Sequence, residues 1–98
     1  MKKEKSKKKL PRKYYKELMT HISGMKSDMK AERYNQVMLK FSPLLQKLEN
    51  MRTHIPEENY GALRTYIVKM ESNMRMGIYN LVGDAFSSLL QMLEDMRK

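Results

Sequence analysis

Tyr34 to Arg52 reads YNQVMLKFSPLLQKLENMR, and Tyr79 to Arg97 reads YNLVGDAFSSLLQMLEDMR. Twelve of these 19 positions are identical without a gap, at an offset of 45. Extending upstream, Leu10 to Arg33 aligns with Ile55 to Ile78. This adds Pro11/Pro56, Tyr15/Tyr60, Leu18/Leu63, Thr20/Thr65, Ile22/Ile67, Met25/Met70, Ser27/Ser72 and Met29/Met74, so that 20 of 43 positions agree. Shared helical composition produces scattered leucine matches, but not an ungapped run through Tyr-Asn, Phe-Ser and Leu-Leu-Gln. The chain reads as two copies of one supersecondary unit, residues 10–52 and 55–97.

Each copy carries two apolar stripes of helical period. Tyr15, Leu18, Ile22, Met25 and Met29 step by three and four, as do Tyr60, Leu63, Ile67, Met70 and Met74. Tyr34, Val37, Phe41, Leu44, Leu48 and Met51 do the same, matched by Tyr79, Val82, Phe86, Leu89, Leu93 and Met96. Such spacing gives each helix one buried face. Met29 to Tyr34 and Met74 to Tyr79 are steps of five, so the chain turns between the stripes. Ser27-Asp28 and Ser72-Asn73 have N-cap chemistry and place the turns within 27–33 and 72–78. Pro11 and Pro56 suit a first helical turn. Gly24 faces Lys69 in the other copy, which argues against a glycine-dependent stop there. Pro43 interrupts its stripe where the second copy has Ser88, and predicts a kink or a restart capped by Ser42.

The expected fold is all-α: a tandem duplication of a helical hairpin of about 45 residues, closed as a four-helix bundle or stacked as a two-unit helical repeat. Closure is favoured, because solenoids need about three units for stability. Ninety-eight residues amount to one small domain. Three Pro, four Gly and no Trp against eleven Met suit a chain of few turns. The absence of Cys removes disulfides, thiolate zinc sites and cysteine nucleophiles, and favours a reducing cytoplasmic setting, or a nuclear one in a eukaryote.

The net charge of +9 is concentrated at one end. Residues 1–16 hold Lys2, Lys3, Lys5, Lys7, Lys8, Lys9, Arg12, Lys13 and Lys16 against Glu4 alone, whereas residues 17–98 hold eleven cations and ten anions. Residues 1–9 repel themselves and offer nothing to bury, which predicts a disordered basic N-terminal arm ahead of a helical domain at 10–98. No apolar core of a signal peptide follows the lysines, and no run approaches the ~18 apolar residues of a membrane span. A nuclear-import reading of residues 7–13 uses the same cations.

Positions that differ between the copies mark where a task was added to a packing unit. Arg33, Lys40 and Lys47 recur at sevens and form a basic stripe, whereas the second copy has Ile78, Ala85 and Met92 there. The apolar surplus on the last helix is either enclosed by the bundle, making that helix its most buried element, or meets a protein partner or a second copy of the chain. Residues 10–52 carry nine cations and four anions, and residues 55–97 carry four and six. Tyr14, which faces Asn59 in the comparison, is expected to be exposed among cations, where a tyrosine stacks on a nucleic-acid base while the arm contacts phosphates. The expected nucleic-acid contacts are therefore the six arm lysines, Arg12, Lys13, Tyr14, Lys16, Arg33, Lys40 and Lys47.

Catalytic chemistry has no candidate. Glu17 and His21 are a helical turn apart, but Ala62 and Tyr66 replace them in the second copy, so the donor set of a di-metal bundle is missing. His54 falls in the connector. Glu49 and Glu94 are expected to pair locally with Arg52 and Arg97. The glycines are isolated, so no phosphate loop forms. The expected function is a non-enzymatic, nucleic-acid-associated accessory or regulatory factor binding DNA or RNA, with a protein adaptor or inhibitor as the alternative. No cofactor, metal or small-molecule substrate is expected.

Overall fold

The computed structural model describes residues 10–97, and these are helical with no strand among them. The elements are α1 (Arg12–Lys30), α2 (Tyr34–Asn50), a short 3-10 turn (Arg52–His54), α3 (Glu57–Arg75) and α4 (Tyr79–Arg97). Helix starts at 12 and 57, and at 34 and 79, keep the offset of the aligned sequences. Pro11 and Pro56 stand at the N-cap, one step before the expected first turn, with φ of −57° and −55°. Their carbonyls accept the amides of Tyr15 and Tyr60 at 2.9 Å. A residue with no N–H loses nothing at this position.

The turns within each hairpin are built differently from the expectation. Ser27-Asp28 and Ser72-Asn73 lie in the last turns of α1 and α3, and Arg33 precedes α2 without a side-chain cap. The chain stops each helix through its backbone instead. Glu32 and Gly77 take positive φ, 60° and 76°, and donate to the carbonyls of Met29 and Met74 at 3.0 Å. The next amides, Arg33 and Ile78, donate to Asp28 and Asn73 at 2.8 and 2.9 Å. This pair of crossed bonds is the Schellman stop, which satisfies end carbonyls without any cap from the following helix. α2 runs unbroken through Pro43, with no restart at Ser42. Pro43, which cannot donate to the Leu39 carbonyl, and Leu39 are both exposed, so the missing bond falls on the solvent-facing side of the helix.

α1 packs on α2 and α4, and α3 packs on the same two helices. The ring is closed as a four-helix bundle, not stacked as a two-unit solenoid. Leu10 extends the closure by donating its amide to the Met96 carbonyl at 3.2 Å, which holds the start of α1 beside the end of α4. The core consists of the apolar stripes: Leu18, Ile22, Met25 and Met29 on α1 and their counterparts Leu63, Ile67, Met70 and Met74 on α3 are all buried. α2 buries Val37, Phe41, Leu44 and Leu48, and α4 buries Val82, Phe86, Leu89 and Leu93. α2 and α4 thus bury four side chains each, so the fully buried positions do not single out α4. Aromatic counterparts meet inside the bundle: Phe41 and Phe86 have ring centroids 6.4 Å apart, and Tyr34 and Tyr79 stack at 3.9 Å.

Two matching clasps tie the halves together. Tyr15 donates its hydroxyl to Glu94 at 2.6 Å while Arg97 lies 4.9 Å over the Tyr15 ring. Tyr60 donates to Glu49 at 2.5 Å while Arg52 lies 4.5 Å over the Tyr60 ring. The local pairs expected from sequence are present, Arg52 to Glu49 at 3.9 Å and Arg97 to Glu94 at 3.5 Å, but the tyrosines make them bridges between helices. The carboxylate of Glu49 holds the Tyr60 hydroxyl above its ordinary range, with burial adding to the effect.

Candidate nucleic-acid interface

Lys2, Lys3, Lys5, Lys7, Lys8 and Lys9 lie outside the described residues. Arg12, Lys13 and Lys16 are exposed on the first turns of α1 and engage no carboxylate among the described residues. Lys16 meets Lys47 along a shallow groove of about 340 Å³ shared with Glu17, Thr20 and His21. Tyr14 is not an exposed stacking platform. It is half-buried, packs against the core and stacks on His54 at 4.9 Å, with the Lys13 ammonium 5.4 Å from its ring centre. The connector histidine, 40 residues away in sequence, occupies the ring face that a base would use.

The basic stripe of α2 is also largely committed. Asp28, only 6% exposed, receives Lys40 Nζ on Oδ2 at 2.6 Å and Arg33 on Oδ1, Nε at 3.0 Å and a terminal nitrogen at 2.9 Å. The Lys40 hydrogen bond holds the Asp28 carboxyl below its ordinary value; burial opposes this, and Arg33 adds to the lowering. A carboxylate near a helix C-terminus is disfavoured by the helix dipole, and these two cations offset that unfavourable field with charge-assisted hydrogen bonds. Nearby, His21 Nε2 donates to the Lys40 carbonyl at 2.9 Å and braces α1 on α2. Asp28, Arg33 and Lys40 thus form one cluster, whose counterparts are Asn73, Ile78 and Ala85.

Ile78, Ala85 and Met92 are half-buried, and Ala85 and Met92 pack against the core. The more exposed apolar side chains of the second half are others: Met76 at 67%, Leu81 at 54% and Val68 at 39%. Leu81 lies one helical turn from Ala85 on α4.

A second groove, of about 490 Å³, opens between α1 and α4. Gly83 forms part of its wall, and a Cβ built there would meet nothing within 4 Å. Lys26 and Lys30 line it from α1, and the stacked Tyr34 and Tyr79 form part of its wall. Burial, chiefly, and the neighbouring Glu32 carboxylate keep the Tyr34 hydroxyl protonated beyond its ordinary range.

No family model, curated protein or solved structure matches the chain.

Among the described residues, no three histidine, aspartate or glutamate side chains gather as metal ligands, and no helix is long and apolar enough to cross a membrane. Sequence reasoning missed the 490 Å³ groove, although its signal was present. Gly83 stands opposite Met38, and Lys26 opposite Glu71.

Proposed function

We propose that this chain is a non-enzymatic, nucleic-acid-associated accessory or regulatory factor, built by tandem duplication of a helical hairpin and working through a basic N-terminal arm in the cytoplasm or nucleus. The observation that carries this reading is the placement of charge: nine cations against one anion in residues 1–16, and near balance in the rest. The pairing of Arg33 and Lys40 with Asp28 shifts the available cations further toward that end, where Arg12, Lys13 and Lys16 stand exposed. Cations free of carboxylates release counterions from a phosphate backbone and bind it with little regard to sequence. Affinity for single- or double-stranded nucleic acid is expected to fall steeply with salt, log K dropping by about 0.9 per phosphate contact on a duplex for each decade of salt. Replacing the six arm lysines with glutamine in the full chain should flatten that slope. Negligible binding by the unaltered chain at low salt would remove the proposal.

A second reading, a protein adaptor or homodimer using the α3–α4 side, is favoured by the exposed Leu81 and Met76 and the half-buried Ile78, Ala85 and Met92. Leu81→Lys should then abolish self-association or partner capture without altering the thermal transition. A chain that sediments as a monomer and captures no partner would dispose of this second reading.

A further inference from the structure

The groove between α1 and α4 exists because of departures from the repeat. At the matching seam between α3 and α2, Met38 occupies the position of Gly83 and packs against the core. Glycine inside a helix costs about 1 kcal/mol relative to alanine, yet no close contact requires glycine here, because the position of its missing Cβ faces open space. The helix gives up stability and the surface gains a recess. Charge departs at the same place. Lys26 replaces Glu71, and Lys30 replaces Arg75. On the second-half seam Glu71 and Arg75 neutralise each other at 3.3 Å. On the groove side Lys26 and Lys30, one helical turn apart, have no ion pair among the described residues.

We infer that this groove is a nucleotide seat: Lys26 and Lys30 grip a phosphate, and the base enters beside the Tyr34–Tyr79 stack, where Asn80 can read its edge. Three properties select this chemistry over a simple anion or a simple apolar ligand. Two adjacent ammonium groups on one helix face match a phosphate, and Glu32 at the rim subtracts only one of the two charges. Two aromatic rings, Tyr34 and Tyr79, line the groove, which suits a planar ring. The volume lies within the ~300–1,000 Å³ of ligand clefts, whereas a bare phosphate would leave most of it to water. The positive N-terminus of α4 and the negative C-terminus of α1 border the same groove and oppose each other, so the lysines decide its sign. The nucleotide is either free or one unit of a single strand. In the second case the seat deepens the nucleic-acid reading by adding a defined site on the bundle to the diffuse grip of the arm.

The test uses the full chain at low salt, titrated with a panel of nucleoside monophosphates and with a single-stranded octanucleotide, followed by amide chemical shifts and calorimetry. Gly83→Met should fill the groove as Met38 fills its counterpart, raise helix propensity and leave the fold intact, and it should weaken nucleotide binding at least about tenfold because the seat itself is lost. Lys26→Gln with Lys30→Gln should weaken binding while leaving the cavity open. Shifts at Tyr79, Asn80 and Gly83 on addition of a monophosphate support a free nucleotide; the same shifts with the octanucleotide alone support a strand. Binding unchanged in Gly83→Met, or no shift at these residues with any nucleotide, overturns the seat. The arm variant keeps the two readings apart. Octanucleotide affinity lost with the arm lysines but untouched by Gly83→Met leaves the nucleic-acid proposal standing without the seat. Monophosphate shifts in a chain that binds no strand leave the seat standing without that proposal.

Discussion

The hairpin of α1 and α2 and the hairpin of α3 and α4 bury eight matching positions, from Leu18/Leu63 to Leu48/Leu93, but they finish their outer seams in different ways. Outside its core stripe the first half has a charged cluster of Asp28, Arg33 and Lys40, a histidine brace and a stacked Tyr14–His54 pair. The second half has Asn73, Ile78, Ala85 and Tyr66 at the corresponding places. The three members of the charged cluster differ between the halves as a unit, which is what their chemistry requires. A nearly buried carboxylate without its cations would lie uncompensated near a helix C-terminus, and the two cations without it would lie side by side. The core therefore specifies the bundle in both halves, and the outer seam is free to be solved with charge in one and with apolar contact in the other.

Phe41→Ala and Phe86→Ala offer the strongest attempt to break this equivalence. Both rings are fully buried and face each other across the bundle, so each truncation should cost about 3–5 kcal/mol by chemical denaturation. The two costs should agree within about 1 kcal/mol. A larger gap would show that one half relaxes around a cavity and the other does not, and that matching burial hides unequal packing. The next effect in size separates the two Schellman stops. Glu32 holds φ of 60° with a side chain that disfavours it, while Gly77 holds 76° without penalty. Glu32→Gly should stabilise the chain by about 1 kcal/mol, and Gly77→Ala should destabilise it by a similar amount. Equal and opposite shifts of the thermal midpoint would confirm a backbone origin; a loss on Glu32→Gly would show that the glutamate side chain contributes more than its backbone costs.

The sequence made the four helices, their core faces and the closed ring legible because burial follows period, and each period occurs twice along the chain. It misled at the hairpin turns because Ser27, Asp28, Ser72 and Asn73 have capping side chains, whereas the stop is made by backbone amides at 32–33 and 77–78. Nothing in residue type marks Glu32 for positive φ; only its alignment with Gly77 hints at it. Pro43 misled because a proline's cost depends on whether the carbonyl one turn earlier can reach water, and exposure is a tertiary property. Arg33, Lys40 and Lys47 were legible as one basic stripe, but the pairing of Arg33 and Lys40 with Asp28 was not, since it forms only when α1 packs on α2. The same limit applies to Tyr14 and His54, which meet only once the bundle closes.

The smallest expected effect on stability, and the sharpest on the functional comparison, comes from Asp28→Asn. The Lys40 hydrogen bond, with Arg33 beside it, holds this carboxyl below its ordinary value of 3.8 despite burial. A depressed folded-state value means that the ionised form stabilises the fold. Its contribution is complete above the ordinary value and is lost as pH falls through the lower folded one. Asp28→Asn should therefore be less stable than the parent by a constant margin from neutral pH down to about pH 4, with the margin closing in more acid solution. In the same variant Arg33 and Lys40 lose their carboxylate and become available to phosphates. If the first hairpin adds to the arm in binding nucleic acid, the salt dependence of that binding should steepen by up to about 1.8 in log K per decade on a duplex, two further phosphate contacts at about 0.9 each. A destabilised variant with the parent's salt slope would assign the cluster to the bundle alone and remove Arg33 and Lys40 from the nucleic-acid contacts. A steeper slope would mean that Asp28 restrains a basic face which the second half, with Ile78 and Ala85 in those places, does not possess.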